Sequence, residues 1–112
     1  MELTRTNEFQ RNYSKLIRKG YARSVLEDEV QTVAYYLMSG IRIPDSYDDH
    51  QLEDNLSNFR ELHLEGDLLL MYRKTPNRVT LVNIGTHDML FRTVLMKKKK
   101  RKKGRGFFGF FD

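Results

Sequence analysis

Three histidines, His50, His63 and His87, and one carboxylate, Asp67, are the residues of this sequence best suited to moving protons. Imidazole has an unperturbed pKa of roughly 6.5, so it can give or take a proton near neutral pH. All three rings fall between His50 and Phe91, a stretch that reads as strand, turn, strand, loop, strand. His63 closes one of these strands and Asp67 opens the next across the Glu65-Gly66 turn, so their side chains come within reach of each other. His87 ends the third strand, at the same sheet end if the strands run as a meander. His50 arrives from a long loop. Imidazoles with a carboxylate suit cleavage of RNA by its own 2′-hydroxyl. That reaction needs a base for the 2′ proton, an acid for the leaving 5′ oxygen and a cation for the phosphate in the transition state. Arg60 and Arg73 are the candidates for the cation, through the planar guanidinium fork.

Each residue also has an ordinary reading. A histidine in a strand or loop is often a surface or capping residue, and Asp67 can bond its own turn. Three histidines with Asp67 could instead hold zinc, although no short H-x-x-x-H pair occurs. No Ser-His-Asp order, P-loop or dinucleotide fingerprint competes. Spacing alone leaves the function open.

The elements that must position these groups follow from the apolar pattern. Residues 1–5 alternate weakly and suit a first strand at an edge or the centre of a sheet. Thr6 or Asn7 can cap a helix in which Phe9, Tyr13, Leu16 and Ile17 form one stripe, stopped by Gly20. Ser24 with Glu27 fits a capping box, and Leu26, Val30, Val33, Ala34 and Leu37 continue at helical spacing to Gly40. These two helices form a hairpin with one apolar side. Asp45 to Asn58 reads as a loop with one short helical turn, long enough to suggest function. Phe59–Leu64, Asp67–Arg73 and Arg78–Gly85 read as strands. The fold class expected is α+β, a small antiparallel sheet packed against an N-terminal helical hairpin.

Composition bounds the rest. The chain has 112 residues, enough for one modest core, with 39% hydrophobic and 31% charged residues and no cysteine. Disulfides and thiolate metal sites are excluded, and a cytoplasmic location with no membrane partner is expected. The formal charge of +5 is misleading as a whole-chain figure. Lys97–Lys100, Arg101, Lys102, Lys103 and Arg105 supply eight positive charges in nine residues, while residues 1–96 hold twelve Lys and Arg against fourteen Asp and Glu. The chain therefore divides into a domain over residues 1–95 and a basic, Phe/Gly-rich tail over 96–112, expected to be disordered by self-repulsion. The tail reads either as a solvated end or as an electrostatic contact with RNA or the ribosome.

Three segments carry a resemblance: Tyr47-Asp48-Asp49-His50-Gln51-Leu52, Arg60-Glu61-Leu62-His63-Leu64-Glu65-Gly66-Asp67 leading into Leu68–Arg73, and Gly85-Thr86-His87-Asp88-Met89-Leu90-Phe91. In this order they are similar to the YafQ branch of the RelE/ParE superfamily of bacterial type II toxins, over nearly all of residues 1–92. The resemblance implies a RelE-like fold and a ribosome-dependent endoribonuclease that cuts mRNA in the A site, with no cofactor or metal. It implies a catalytic cluster at His50, His63, Asp67 and His87, with Phe91 supporting substrate binding. It also implies a DinJ-like ribbon-helix-helix antitoxin, with operator DNA bound only through the toxin-antitoxin complex. The alternatives are a gyrase-directed poison without catalysis, as in the ParE branch, and an inactive antitoxin-binding module on the same fold. Two departures stand out: Leu68 follows Asp67 where the family often has Trp, and the tail has no counterpart.

Overall fold

A computed structural model of the chain describes residues 1–90; Phe91 and the whole basic tail lie outside the described residues. The chain runs β1 (Glu2–Arg5), α1 (Asn7–Arg18), α2 (Arg23–Ser39), β2 (His50–Gln51), β3 (Arg60–His63), β4 (Leu68–Thr75) and β5 (Arg78–Thr86). One five-stranded sheet has the order β1-β5-β4-β3-β2. From β2 to β5 it is an antiparallel meander, as the turn residues predict. β1 departs from that expectation and pairs parallel to β5 at the edge, Glu2 opposite Arg78 and Arg5 opposite Leu81. Parallel neighbours need a long crossover, and everything between β1 and β5 supplies it.

α1 begins where Thr6 accepts a hydrogen bond from the Phe9 amide at 3.0 Å. α2 ends on Gly40 in the left-handed region, φ 78°, a conformation that costs glycine little. The capping box expected from Ser24 and Glu27 does not form, and α2 starts after Ala22 with no side-chain cap. The physical reason is competition for the carboxylate. Glu27 accepts from Arg5 at 2.9 Å, Tyr13 at 2.5 Å and Gln31 at 2.8 Å, joining β1, α1 and α2. Burial first, then the bond to Glu27, pushes the Tyr13 hydroxyl up to about 12. Burial opposes ionisation of Glu27, but the bonds from Tyr13, Gln31 and Arg5 outweigh it and lower its pKa.

The hairpin covers one face of the sheet. Phe9, Tyr13 and Leu16 of α1 and Leu26, Val30, Val33 and Leu37 of α2 pack in one cluster with Leu62, Leu64, Leu68, Leu70 and Tyr72. Since strand side chains alternate, these residues define an inner face, and Glu61, His63, Leu69, Met71 and Arg73 occupy the outer one. β5 changes its alternation midway. Val79 and Leu81 face the core, then the register steps so that Met71 pairs with Asn83 and Tyr72 with Leu81, leaving Val82 as the extra residue. After this bulge Ile84 is the core residue and Gly85 stands opposite Leu69, while the buried Asn83 side chain accepts from Asn12 of α1 at 2.6 Å.

Candidate active site

The site lies where β3, β4 and β5 end together. Leu64 N bonds Leu68 O at 2.8 Å across the β3–β4 turn, with Gly66 at φ 66°. This sets Asp67 just ahead of Leu68, which pairs with Thr86, so Asp67 stands beside His87. The Asp67 carboxylate Oδ1 takes a short hydrogen bond from His87 Nδ1. A carboxylate that only accepts puts the ring proton on Nδ1, leaving Nε2 unprotonated in the neutral ring. Residues 87–90 turn into helix, and the Thr86 hydroxyl accepts from the Met89 amide at 3.2 Å. A Cβ at Gly85 would meet Met89 side-chain atoms at 3.1–3.2 Å, so the small residue allows this turn to fold close.

His63 is paired with Leu69 and therefore on the outer face, its ring centroid 5.4 Å from that of His87, nearly edge to face. The expected loop contains β2, which pairs His50 with Glu61. This two-residue strand brings His50 to within 6.5 Å of His63, centroid to centroid. His50 Nδ1 bonds the Asp48 carbonyl at 2.7 Å and its Nε2 faces Glu61 at 3.6 Å, while His63 Nε2 faces the Asp48 carboxylate at 3.7 Å. Asp48 reaches this position in the left-handed region, φ 50°. All four expected groups thus lie along one open shelf, with His87 and Asp67 side chains 56% and 59% exposed. Glu61 and Asp48 are neighbours that the spacing of histidines did not single out. The signal for Glu61 is its parity with His63, two residues on along one strand.

The arginines separate. Arg60 pairs with Tyr72 on the inner side, where its guanidinium bonds Asp49 at 3.0 Å and Asp49 accepts from the Tyr72 hydroxyl at 2.6 Å. The bond to Asp49 raises the Arg60 pKa, and burial followed by the bond to Asp49 raises that of Tyr72. Arg60 is therefore held away from the histidines. Arg73 does share their face, but it lies four residues along β4 from Leu69, about 13 Å at strand rise. Leu68 is 5% exposed within the hairpin-side core and is not offered to a base at all. Among the described residues no group of three or more His, Asp or Glu side chains could hold a metal ion. No helix among them is long and apolar enough to cross a membrane.

Comparison with known proteins decides the family. The model for the bacterial toxin of type II toxin-antitoxin systems, YafQ, matches residues 1–92. The chain belongs to the YafQ toxin family. The mRNA interferase toxin YafQ of Escherichia coli K12 is 27% identical over 90 residues, 80% of this chain and 98% of that protein. A metal-bound toxin from Helicobacter pylori has a crystal structure that is 30% identical, with a TM-score of 0.68 over 81% of this chain and 99% of its own. The E. coli DinJ-YafQ complex contains a chain of the same fold, 21% identical with a TM-score of 0.68 over 80% of this chain and 96% of that one. This YafQ-family toxin has the α+β architecture of those structures, five strands with a helical hairpin on one face.

Proposed function

We propose that this toxin is an endoribonuclease, an mRNA interferase that cuts mRNA in the ribosomal A site by acid/base catalysis without a metal. The observation that carries the reading is the shelf itself: three imidazoles in a row, 6.5 and 5.4 Å apart, with Asp67 bonded to the last. A phosphodiester seated against His63 and His87 has a proton acceptor and a proton donor on either side. Asp67 holds the His87 ring with Nε2 outward. One of the pair takes the 2′ proton as oxygen attacks phosphorus, and the other protonates the departing 5′ oxygen. With Arg60 committed to Asp49, the remaining ring, His50, is the nearest group able to carry positive charge to the phosphate oxygens. Arg73, further along the same face, suits a neighbouring phosphate. A poison that acts without cleavage needs no such shelf.

The partner expected is a DinJ-like antitoxin, as in the E. coli complex, and operator DNA is contacted through that complex. The deciding experiment programs ribosomes with a defined mRNA and adds the toxin with a chelator selective for transition metals, Mg²⁺ kept in excess, comparing wild type with His87→Ala. Cleavage that survives chelator and is lost in the variant is expected. Equal cleavage by both proteins removes His87 from the mechanism, and loss of wild-type cleavage with chelator replaces the proposal with metal catalysis.

A further inference from the structure

His63 belongs to two places at once. Its ring stands on the shelf, 5.4 Å from that of His87, and it also lines a cleft of about 570 Å³ between α2, the short helical turn at Asp45–Tyr47 and the end of β3. That volume suits a small organic ligand. The buried Leu64 gives the cleft an apolar part, and Tyr47 gives it an aromatic ring, set edge to face against Tyr36 with centroids 6.1 Å apart. With Leu68 turned into the core, Tyr47 is a side chain of this region suited to stacking on a base.

The polar lining is one-sided. Asp28, Glu29 and Glu65 bring carboxylates, and no Lys or Arg is among the lining residues. Ionised carboxylates only accept hydrogen bonds. Glu29 is the one whose position is fixed: its Oε1 accepts from the Glu65 amide at 3.1 Å, tying α2 to the turn that precedes Asp67, while its Oε2 has no partner among the described residues. Burial first, then Tyr36 and Glu29, hold the Tyr47 hydroxyl above its ordinary pKa, so the ring beside this carboxylate is a neutral phenol.

We infer that this cleft takes the base of a nucleotide next to the cleaved phosphate and selects guanine there, an inference that rests on the nuclease reading. Guanine carries N1–H and N2–H side by side, two donors matched to one carboxylate. Adenine and cytosine offer a single exocyclic amine, and uracil turns carbonyl oxygens toward the acids. The phosphate stays with His63 and His87, so the acidic cleft receives a neutral base. Tyr47 supplies stacking and Glu29 the choice of edge, the two means by which an unpaired base is read.

The test has two arms. In the first, guanosine, uridine and acetyl-arginine amide are titrated separately into the toxin, and the NMR signals of the Thr32 methyl, the Tyr47 ring and the Leu64 methyls are followed. Guanosine should shift all three and bind about tenfold or more tightly than uridine. Glu29→Gln should remove that difference, Tyr47→Leu should weaken both nucleosides alike, and Tyr47→Phe, which keeps the ring, should bind guanosine as wild type does. In the second arm, single-turnover cleavage on programmed ribosomes compares mRNAs carrying G, A, C or U on either side of the cleaved bond, with the melting temperature of each variant checked. Wild type should prefer guanine to uracil at one of these positions by about 5- to 150-fold, the discrimination of one bidentate pair, and Glu29→Gln should lose most of that ratio. Guanosine that leaves the three signals unmoved, or a base ratio unchanged in Glu29→Gln, overturns the inference. So does binding of acetyl-arginine amide without guanosine, which gives the cleft to a basic side chain of a protein partner. Guanosine binding with no cleavage of any mRNA by wild type rejects the nuclease reading and leaves the guanine site standing.

Discussion

Asp67 should act on catalysis through His87 and contribute little to stability. Their side chains are 59% and 56% exposed, so water screens the pair. An exposed ion pair is worth about 0.2–1 kcal/mol, which for a domain of this size lowers Tm by no more than about 4–8 °C when lost. Its expected value to the proposed reaction is orientation. A hydrogen bond to a charged group contributes about 1.5–3 kcal/mol when shielded; halving this for solvent exposure leaves about 0.75–1.5 kcal/mol, roughly 4- to 12-fold in rate. Removing His87 itself should cost about 10²–10⁴-fold, the usual contribution of a positioned acid or base. The assay is single-turnover cleavage on programmed ribosomes for Asp67→Ala, His87→Ala and the double variant, with thermal melting of each. The double variant should cleave no more slowly than His87→Ala, because Asp67 has nothing left to orient. Multiplicative losses in the double variant would refute this reasoning, as would full activity of Asp67→Ala.

Three further outcomes follow from the same geometry. Asp49→Ala should lower stability by about 1–3 kcal/mol, read as Tm, because it strands the buried Tyr72 hydroxyl and the Arg60 guanidinium; Arg60→Gln should likewise lower Tm while single-turnover cleavage stays within a few-fold. Gly85→Ala should slow cleavage, since its Cβ pushes on Met89 and moves the turn that carries His87, and Met89→Gly in the same chain should restore part of the rate. Glu27 has a lowered pKa, so its contribution to stability is present above the unfolded-state pKa and is lost as pH falls through the folded one. In Glu27→Gln, melting temperature should therefore fall less steeply on acidification than in wild type.

Helices and strands were legible because their apolar periods are undiluted. Phe9, Tyr13 and Leu16 are all buried, as their spacing demands. The Ser24–Glu27 box failed because a capping pattern is local and Glu27 has stronger partners on β1 and α1, far away in sequence. β2 was missed for a related reason: two residues are too short for any period, and only pairing with β3 makes them a strand. The parallel setting of β1 likewise depends on a partner more than seventy residues away. At the site, residue type marks the histidines and Asp67 as candidates, and the fold brings the four together. Residue type could not assign Arg60, since a guanidinium looks equally available until its face of the sheet is known.

Which face a side chain takes is decided by the core, and this is how an exposed site acquires a defined geometry. The histidine shelf has little packing of its own, yet Leu62 on β3 and Leu70 on β4 are fully buried on the inner face. Their burial forces Glu61 and His63 outward, and a slip of one residue would put an acid and an imidazole into the core. β5 would break the arrangement if it alternated without interruption, because Val79 and Leu81 would then be followed inward by Gly85, and Ile84 would turn out of the core. The extra residue Val82 reverses the alternation, seats Ile84 in the core and sends Gly85 outward opposite Leu69, in line with His63. The adjacent apolar pair Leu81-Val82 is the sequence trace of that reversal. Bulges commonly re-aim side chains beside active sites, and here the bulge brings the end of β5, with His87 just beyond it, to the face that His50 and His63 already share.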